Sequence, residues 1–416
     1  MLPFFAVSSR LRPKAPSRQG KSFCTPWVEV LEDRNLLAAW TTVAPLPTPH
    51  ADLGGVLGSN GLVYAIGGYN SFTALNTVQA YNPGTNLWTS VPSLHTARGG
   101  LAAAAGLDGR IYAISGGDST IMPMNSVEVY KPSVNSWTTV APIPTGRVYL
   151  AAATGPGGII YAIGGANSAG KAVTTVEAYN PQTNTWVARA SMNTARIGPS
   201  AAVGSDGRIY VFGGVPAFKA SAAIPTVESY NPLTNKWTFV ANMLTAVAYA
   251  GATQGPNGRL YVVGGDTADF FANNTNVVES YNPNTNTWRA EVSLPTARGD
   301  LAAVLGYDGR IYAFGGTNGT SAAVTTNQVY QGASGFAAFA ATKLPASATS
   351  ADDSGTPGPV SLTVSQLPGI TMQPGAPNSG ANGPSSGSDG IQSVLADGSH
   401  GPSADLADAL FANIMG

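Results

Sequence analysis

Asp206-Gly207-Arg208-Ile209-Tyr210-Val211-Phe212-Gly213-Gly214 is one copy of a segment that this chain repeats, with variations, six times. The double glycine begins at Gly67, Gly116, Gly164, Gly213, Gly264 and Gly315, so successive copies lie 48 to 51 residues apart. Trp40, Trp88, Trp137, Trp186, Trp237 and Trp288 keep the same beat, each 27 residues before the next pair, or once 28. Tyr81, Tyr130, Tyr179, Tyr230 and Tyr281 always precede the following Trp by 7 residues. Only the stretch from the double glycine to the Tyr varies, from 14 to 17 residues. A repeat that is rigid everywhere except one segment has a packed scaffold and one adjustable loop, and function is sought on that loop.

Each copy reads as four short strands. A small-residue run such as Leu101-Ala102-Ala103-Ala104-Ala105 is followed by a tight turn, Asp108-Gly109-Arg110, which recurs at 206–208, 257–259 and 308–310. Asp-Gly and Asn-Gly accept the positive φ angles of a two-residue hairpin turn, so they mark strand, turn, strand. The second strand runs into the double glycine, and the third is Val-Glu-x-Tyr closed by a turn such as Asn180-Pro181-Gln182-Thr183-Asn184. The fourth begins at the Trp and enters a Pro-containing link. No stretch of the repeat region has a helical apolar period.

These motifs resemble the kelch repeat, and the resemblance covers residues 40–341. It implies an all-β fold, a six-bladed kelch-type β-propeller of four-stranded antiparallel blades. Small first-strand residues suit innermost strands that converge on the axis. Trp40-Thr41-Thr42-Val43 is a fourth strand with no first three before it, whereas the last copy, ending at Tyr330, has Ala337 where Trp is due. Closure of the ring by the Trp40 strand is therefore expected, which would seal the last sheet edge. The segment Phe336-Ala337-Ala338-Phe339 is the competing fourth strand.

The two ends differ from the ring, and both are expected to be flexible extensions. Residues 1–39 open with Arg10, Arg12, Lys14, Arg18 and Lys21 before any acidic residue. Leu31-Glu32-Asp33-Arg34-Asn35-Leu36-Leu37 resembles a short motif near the start of many exported bacterial proteins, which implies an extracellular or cell-surface location. Residues 342–416 are rich in Gly, Ser, Pro and Asp, a linker composition, with Ser403 to Met415 as a possible terminal helix. A net charge of −1 supplies no basic field for nucleic acid. The single cysteine, Cys24, precludes an intrachain disulfide, and no apolar run is long enough to span a membrane.

Two rings of equivalent positions stand out. His50, Arg98, Arg147, Arg196, Val247 and Arg298 precede the first strands, and propeller geometry predicts that they gather near one channel mouth. Arg98, Arg147, Arg196 and Arg298 facing a common opening would favour an acidic ligand. The bland reading is that each binds backbone carbonyls between blades. Glu128, Glu177, Glu228 and Glu279, replaced by Gln79 and Gln328 in the other copies, read as a repeated structural hydrogen bond. The variable loops carry Tyr69, Phe72, Asp118, Met122, Met124, Lys171, Phe218, Lys219, Asp266 and the pair Phe270-Phe271, of which the last is the preferred contact candidate.

No metal or other cofactor is expected. Some kelch rings are similar to galactose oxidase, whose copper site needs two His, two Tyr and a Cys bonded to Tyr. Here the histidines are only His50, His95 and His400, and no Cys lies in the ring. The reading that results is a single ring acting as a non-catalytic binding module for a protein or a glycan, exported, with its ligand on the variable-loop face. The alternatives are an enzyme similar to the sialic-acid mutarotases, with the four arginines holding a carboxylate, and a purely structural surface repeat.

Overall fold

The computed structural model describes residues 39–332, apart from 221, 269–272 and 320–321. Within it the hairpin signals become six four-stranded antiparallel sheets. The first blade is Gly54–Leu57, Val63–Ile66, Val78–Asn82 and Leu87–Val91, hydrogen-bonded in that order. The next four repeat it from Ala102–Ala105, Ala151–Thr154, Ser200–Val203 and Gly251–Gln254. The sixth is Ala302–Leu305, Ile311–Phe314 and Asn327–Gln331, completed by Ala39–Thr42 from the other end of the repeat region. Among the described residues the only helical turn is Pro156–Gly158.

Closure by the Trp40 strand follows from side chains as well as register. Trp40 lies opposite Tyr330, as Trp88 lies opposite Tyr81 and Trp137 opposite Tyr130. In five blades the indole N–H donates to a carbonyl on the link entering that blade, for example Trp88 to Ala44 at 2.9 Å and Trp237 to Ala190 at 2.7 Å. Trp40 makes the same bond to Val292 at 2.8 Å. The Phe336–Phe339 alternative, the Leu31–Leu37 motif, Cys24, His400 and the 403–415 segment lie outside the described residues.

The innermost strands touch their neighbours all the way round, from the first blade to the sixth and back to the first. Their Ala and Gly side chains are what permits that approach: a Cβ on Gly54 would stand 2.7 Å from the Cβ of Ala103. Between blades, Tyr64, Tyr112, Tyr161, Tyr210, Tyr261 and Tyr312 are buried against residues of the adjacent sheet. Such aromatic pairs contribute both buried area and geometric preference.

The double glycine is a joint between blades. The second glycine donates its N–H to the carbonyl of the following blade's arginine-position residue, as Gly68 does to Arg98 at 2.8 Å and Gly316 does to His50 at 2.8 Å. A Cβ on Gly67 would meet the Arg98 carbonyl oxygen at 2.6 Å. In the second blade the frame is one residue earlier than the sequence pairing suggests. Ser115 takes the first position, at φ 58°, and Gly116 the second, at φ 95°. That shift explains the single 28-residue spacing. The Ser115 hydroxyl donates to the Arg147 carbonyl at 2.7 Å, within the same joint.

The loops after the double glycines and the links between blades emerge on one face, where Ala51 bridges to Tyr69 and Val148 to Ala166. The Asp-Gly and Asn-Pro turns line the other, where Asp206, Arg208, Pro232, Leu233 and Pro283 border one cleft.

Candidate functional site

The four arginines are not in the channel mouth. Arg98, Arg147, Arg196 and Arg298 have 0% of their surface exposed. Each turns into its own blade: Arg196 donates from Nη1 to the carbonyls of Gly213 and Thr226 at 2.9 and 3.0 Å, and from Nη2 to Glu228 Oε1 at 2.7 Å. Arg98 and Arg147 pair in the same way with Glu128 and Glu177, at 2.7 and 2.9 Å. The glutamates also hold the preceding link, Glu128 accepting the backbone N–H groups of His95 and Thr96. The expectation of a guanidinium-lined opening is therefore corrected. A guanidinium has five donors in a rigid fork, and the strand-end carbonyls and carboxylate inside the blade satisfy that fork better than a water-filled mouth. Burial pulls the Arg147 guanidinium down to about 10, against the opposing pull of Glu177.

Three blades break the pairing, and the breaks have consequences. In the sixth, Arg298 meets the neutral Gln328 at 2.8 Å, its Nε finds no partner, and burial brings it to about 10. In the first, His50 is buried with Nδ1 donating to the Gly67 carbonyl at 2.5 Å. Burial lowers its pKa, although that hydrogen bond acts the other way. In the fifth, Glu279 faces Val247, and burial raises its pKa, opposed by hydrogen bonds from Thr245 and Leu244. A carboxyl raised in the fold binds its proton more tightly than in the unfolded chain. Stability is then lost as pH rises above the unfolded value of ~4.3. Glu279→Gln, matching Gln79 and Gln328, is expected to raise the melting temperature at pH 7, with a smaller gain near pH 4.5. Thermal melts at both pH values check this, and an equal gain at both would contradict it.

The residues that do line the mouth lie two positions after the arginine column: Asp52, Gly100, Tyr149, Gly198, Tyr249 and Asp300. Their backbones close a circle. Gly100 donates to Asp52, Tyr149 to Gly100, Gly198 to Tyr149, Tyr249 to Gly198, Asp300 to Tyr249 and Asp52 to Asp300, at 2.7 to 3.0 Å. All six have φ between 51° and 60°, where glycine is at ease and tyrosine is not. The two glycines make room for the tyrosines. A Cβ on Gly198 would strike the Tyr249 ring, and one on Gly100 the Tyr149 ring. The two rings meet edge to face at 5.5 Å. Beneath them the channel encloses about 150 Å³. The sequence signal for this ring was the same column alignment that exposed the arginines, read two residues further on.

Around this mouth the loop residues divide. Phe72 and Met122 are 51% and 52% exposed, and Asp118 is exposed, its carboxyl held below the usual range by hydrogen bonds from Thr120 and Met122. Lys171 and Lys219 are exposed on the third and fourth blades. Tyr69 is buried, and its hydroxyl pKa is raised by burial and by the charges of Asp52 and Asp118. Asp266 is buried and accepts from Asn274, while Asp300 Oδ2 accepts from Thr317 at 2.8 Å. Phe218 packs edge to face on Tyr149. Phe270 and Phe271 lie outside the described residues. His50 and His95 have separate partners, Gly67 and Thr77 for one and Glu128 for the other. Among the described residues no three His, Cys, Asp or Glu side chains gather to hold a metal ion, and no helix is long and apolar enough to cross a membrane.

A family model described as the Attractin/LZTR1 beta-propeller matches residues 63–325. Among curated proteins, Kelch-like protein 31 of Danio rerio is 37% identical over 71 residues, 17% of this chain. The chain spans only 11% of that relative's length. Of solved structures, the one described as the structure of YjhT superposes with a TM-score of 0.59 at 17% identity, covering 69% of this chain and 96% of that one. A fungal alcohol oxidase of the AA5 family, in complex with copper, gives 0.54 at 16%, covering 71% and 76%. At such identities these likenesses concern the fold alone.

Proposed function

The chain belongs to the Attractin/LZTR1 β-propeller family, and from that premise we propose that it is a non-catalytic binding module whose protein or glycan ligand docks on the loop-bearing face. The observation that carries this reading is the mouth column. The arginine and glutamate columns keep their residue type in most blades for a structural reason, whereas this one varies among Asp, Gly and Tyr on a backbone circle that stays constant. A rigid frame displaying variable side chains is how a scaffold presents a recognition surface. The basis for an acidic ligand was the arginine ring, and with those side chains inside the blades that basis is gone. The sugar-acid enzyme reading loses its carboxylate clamp for the same reason.

The basic leader and the Leu31–Leu37 stretch support export to the cell surface, and residues 342–416 have a linker-like composition. Fold alone does not choose a ligand. Binding of the full chain to glycan and peptide arrays tests the assignment of the face. Hits are expected to be lost in Tyr149→Ala/Tyr249→Ala and kept in Leu233→Ser, which alters a 91% exposed side chain on the opposite face. The reverse pattern would contradict the reading.

A further inference from the structure

The fourth and fifth blades share two side chains of a polar cluster and differ at the third. In the fifth, Arg259 donates from Nε to the Ser280 hydroxyl at 2.6 Å and from Nη2 to the Ser280 carbonyl at 2.7 Å. The Ser280 hydroxyl donates in turn to Glu291 Oε1 at 2.5 Å, so guanidinium, hydroxyl and carboxylate each have a partner. The equivalent residues of the fourth blade are Arg208, Ser229 and Val240. Ser229 lies opposite Tyr210 as Ser280 lies opposite Tyr261, and Val240 follows its Trp by three residues as Glu291 does. Valine therefore stands where the carboxylate is due.

The two polar groups left behind show the vacancy. Ser229 is 1% exposed, and its hydroxyl has no hydrogen-bond partner among the described residues. Burial and the Asp206 carboxylate raise the pKa of the adjacent Tyr210 hydroxyl, Ser229 acts the other way, and the Tyr210 proton goes to Asp206 at 2.7 Å. Arg208 makes no guanidinium hydrogen bond among the described residues, its Nε standing 3.6 Å from Asp206 Oδ2. Arg110 and Arg310, by contrast, close on their aspartates at 2.6 Å. Arg208, Ser229 and Val240 line one cleft of about 600 Å³ on the turn-bearing face, with Pro232, Tyr281 and Pro283 as apolar wall.

We propose that this cleft binds a small organic acid whose carboxylate takes the place that Glu291 fills in the fifth blade, accepting from the Ser229 hydroxyl and pairing with Arg208. The site lies apart from the loop-bearing face and rests on none of its residues. A buried hydroxyl without a partner calls for a group that satisfies it, and a carboxylate also suits the guanidinium fork. A cleft of this size with apolar walls and few polar groups fits a small molecule with an apolar body. Asp206 opposes an anion, but its two oxygens are already engaged by the Arg208 backbone N–H and the Tyr210 hydroxyl.

The test is calorimetric titration of the full chain with benzoate and with its neutral amide, benzamide. Benzoate is expected to bind, and benzamide to bind about tenfold more weakly or worse. Arg208→Met should weaken benzoate about tenfold or more, and Ser229→Ala about threefold. Asp206→Asn should tighten it, and Asn60 and Asn257 show that asparagine suits this turn. Val240→Glu supplies the carboxylate from within, as the fifth blade does, and should abolish benzoate binding while the ring still melts cooperatively. Should that variant fail to fold, Arg208→Met decides alone, since its side chain is 40% exposed. Tyr149→Ala/Tyr249→Ala should leave benzoate binding unchanged, which separates this site from the loop-bearing face. No benzoate binding, equal binding of benzamide, or binding indifferent to Arg208→Met would each overturn the proposal. Benzoate lost only in the tyrosine variant would put the acid on the other face and overturn it as well.

Discussion

Arg196→Met is expected to destabilise the ring by about 3–5 kcal/mol, the usual result of removing one partner of a buried ion pair. Both side chains of the Arg196–Glu228 pair are completely shielded from solvent. Methionine fills much of the space but leaves Glu228 with only the N–H groups of Asn193 and Thr194 and the Asn193 amide, takes the Arg196 donor from the Gly213 carbonyl, and leaves the Thr226 carbonyl with the Gly213 N–H. The fifth blade shows the state that results, since Glu279 there faces Val247 and its pKa is raised by burial. Glu228→Gln on that background, which removes the uncompensated charge, should recover part of the loss. Chemical denaturation of the single and double variants at pH 7 measures both effects. An unchanged midpoint at pH 7 would mean that the arginine does not hold the blade.

Deleting residues 39–47 is expected to cost about 5 kcal/mol or more, enough to abolish a cooperative transition in a fold of ordinary stability. The deletion removes the four residues paired with Asn327–Gln331 and exposes a sheet edge. It also removes Leu46, 2% exposed, and Ala44, whose carbonyl accepts from the Trp88 indole and the Asn327 amide. The damage thus reaches the first blade as well as the sixth. Thermal melts of the shortened and full chains decide the matter, and equal melting temperatures would show that another segment closes the ring.

The scaffold was legible because its signals are periodic. Spacing of Gly-Gly, Tyr and Trp specified the strands, and the lone Trp40 specified closure, since that indole needs the Tyr330 and Val292 partners its five counterparts have in their own blades. The direction of the arginines was not legible from their column alone. A side chain beside the first strand can point into the blade or into the channel, and a single column is silent on which. The partner column held the answer: Glu128, Glu177 and Glu228 fall opposite arginines, and the positions that break the pattern are also those with Gln or Val. The mouth residues were missed for a related reason. Asp52, Tyr149, Tyr249 and Asp300 share no residue type, so a search for repeated chemistry passes over them, and only the shared backbone circle makes them one site. The one-residue shift at Ser115 was hidden because serine is an uncommon occupant of a left-handed position and the glycine pair that follows it imitates the motif.

The central claim is that the arginine column belongs to the interior of the blades and that the column two residues later lines the mouth of the channel. Arginine footprinting with phenylglyoxal on the native full chain, read by mass spectrometry, tests it most directly. Arg208 and Arg289, with 40% and 61% of their side chains exposed, are expected to be modified readily. Arg98, Arg147, Arg196 and Arg298 should stay unmodified until denaturant opens the ring, then react together. Modification of those four in the folded protein at the rate of Arg208 would place their guanidinium groups in solvent and contradict the account.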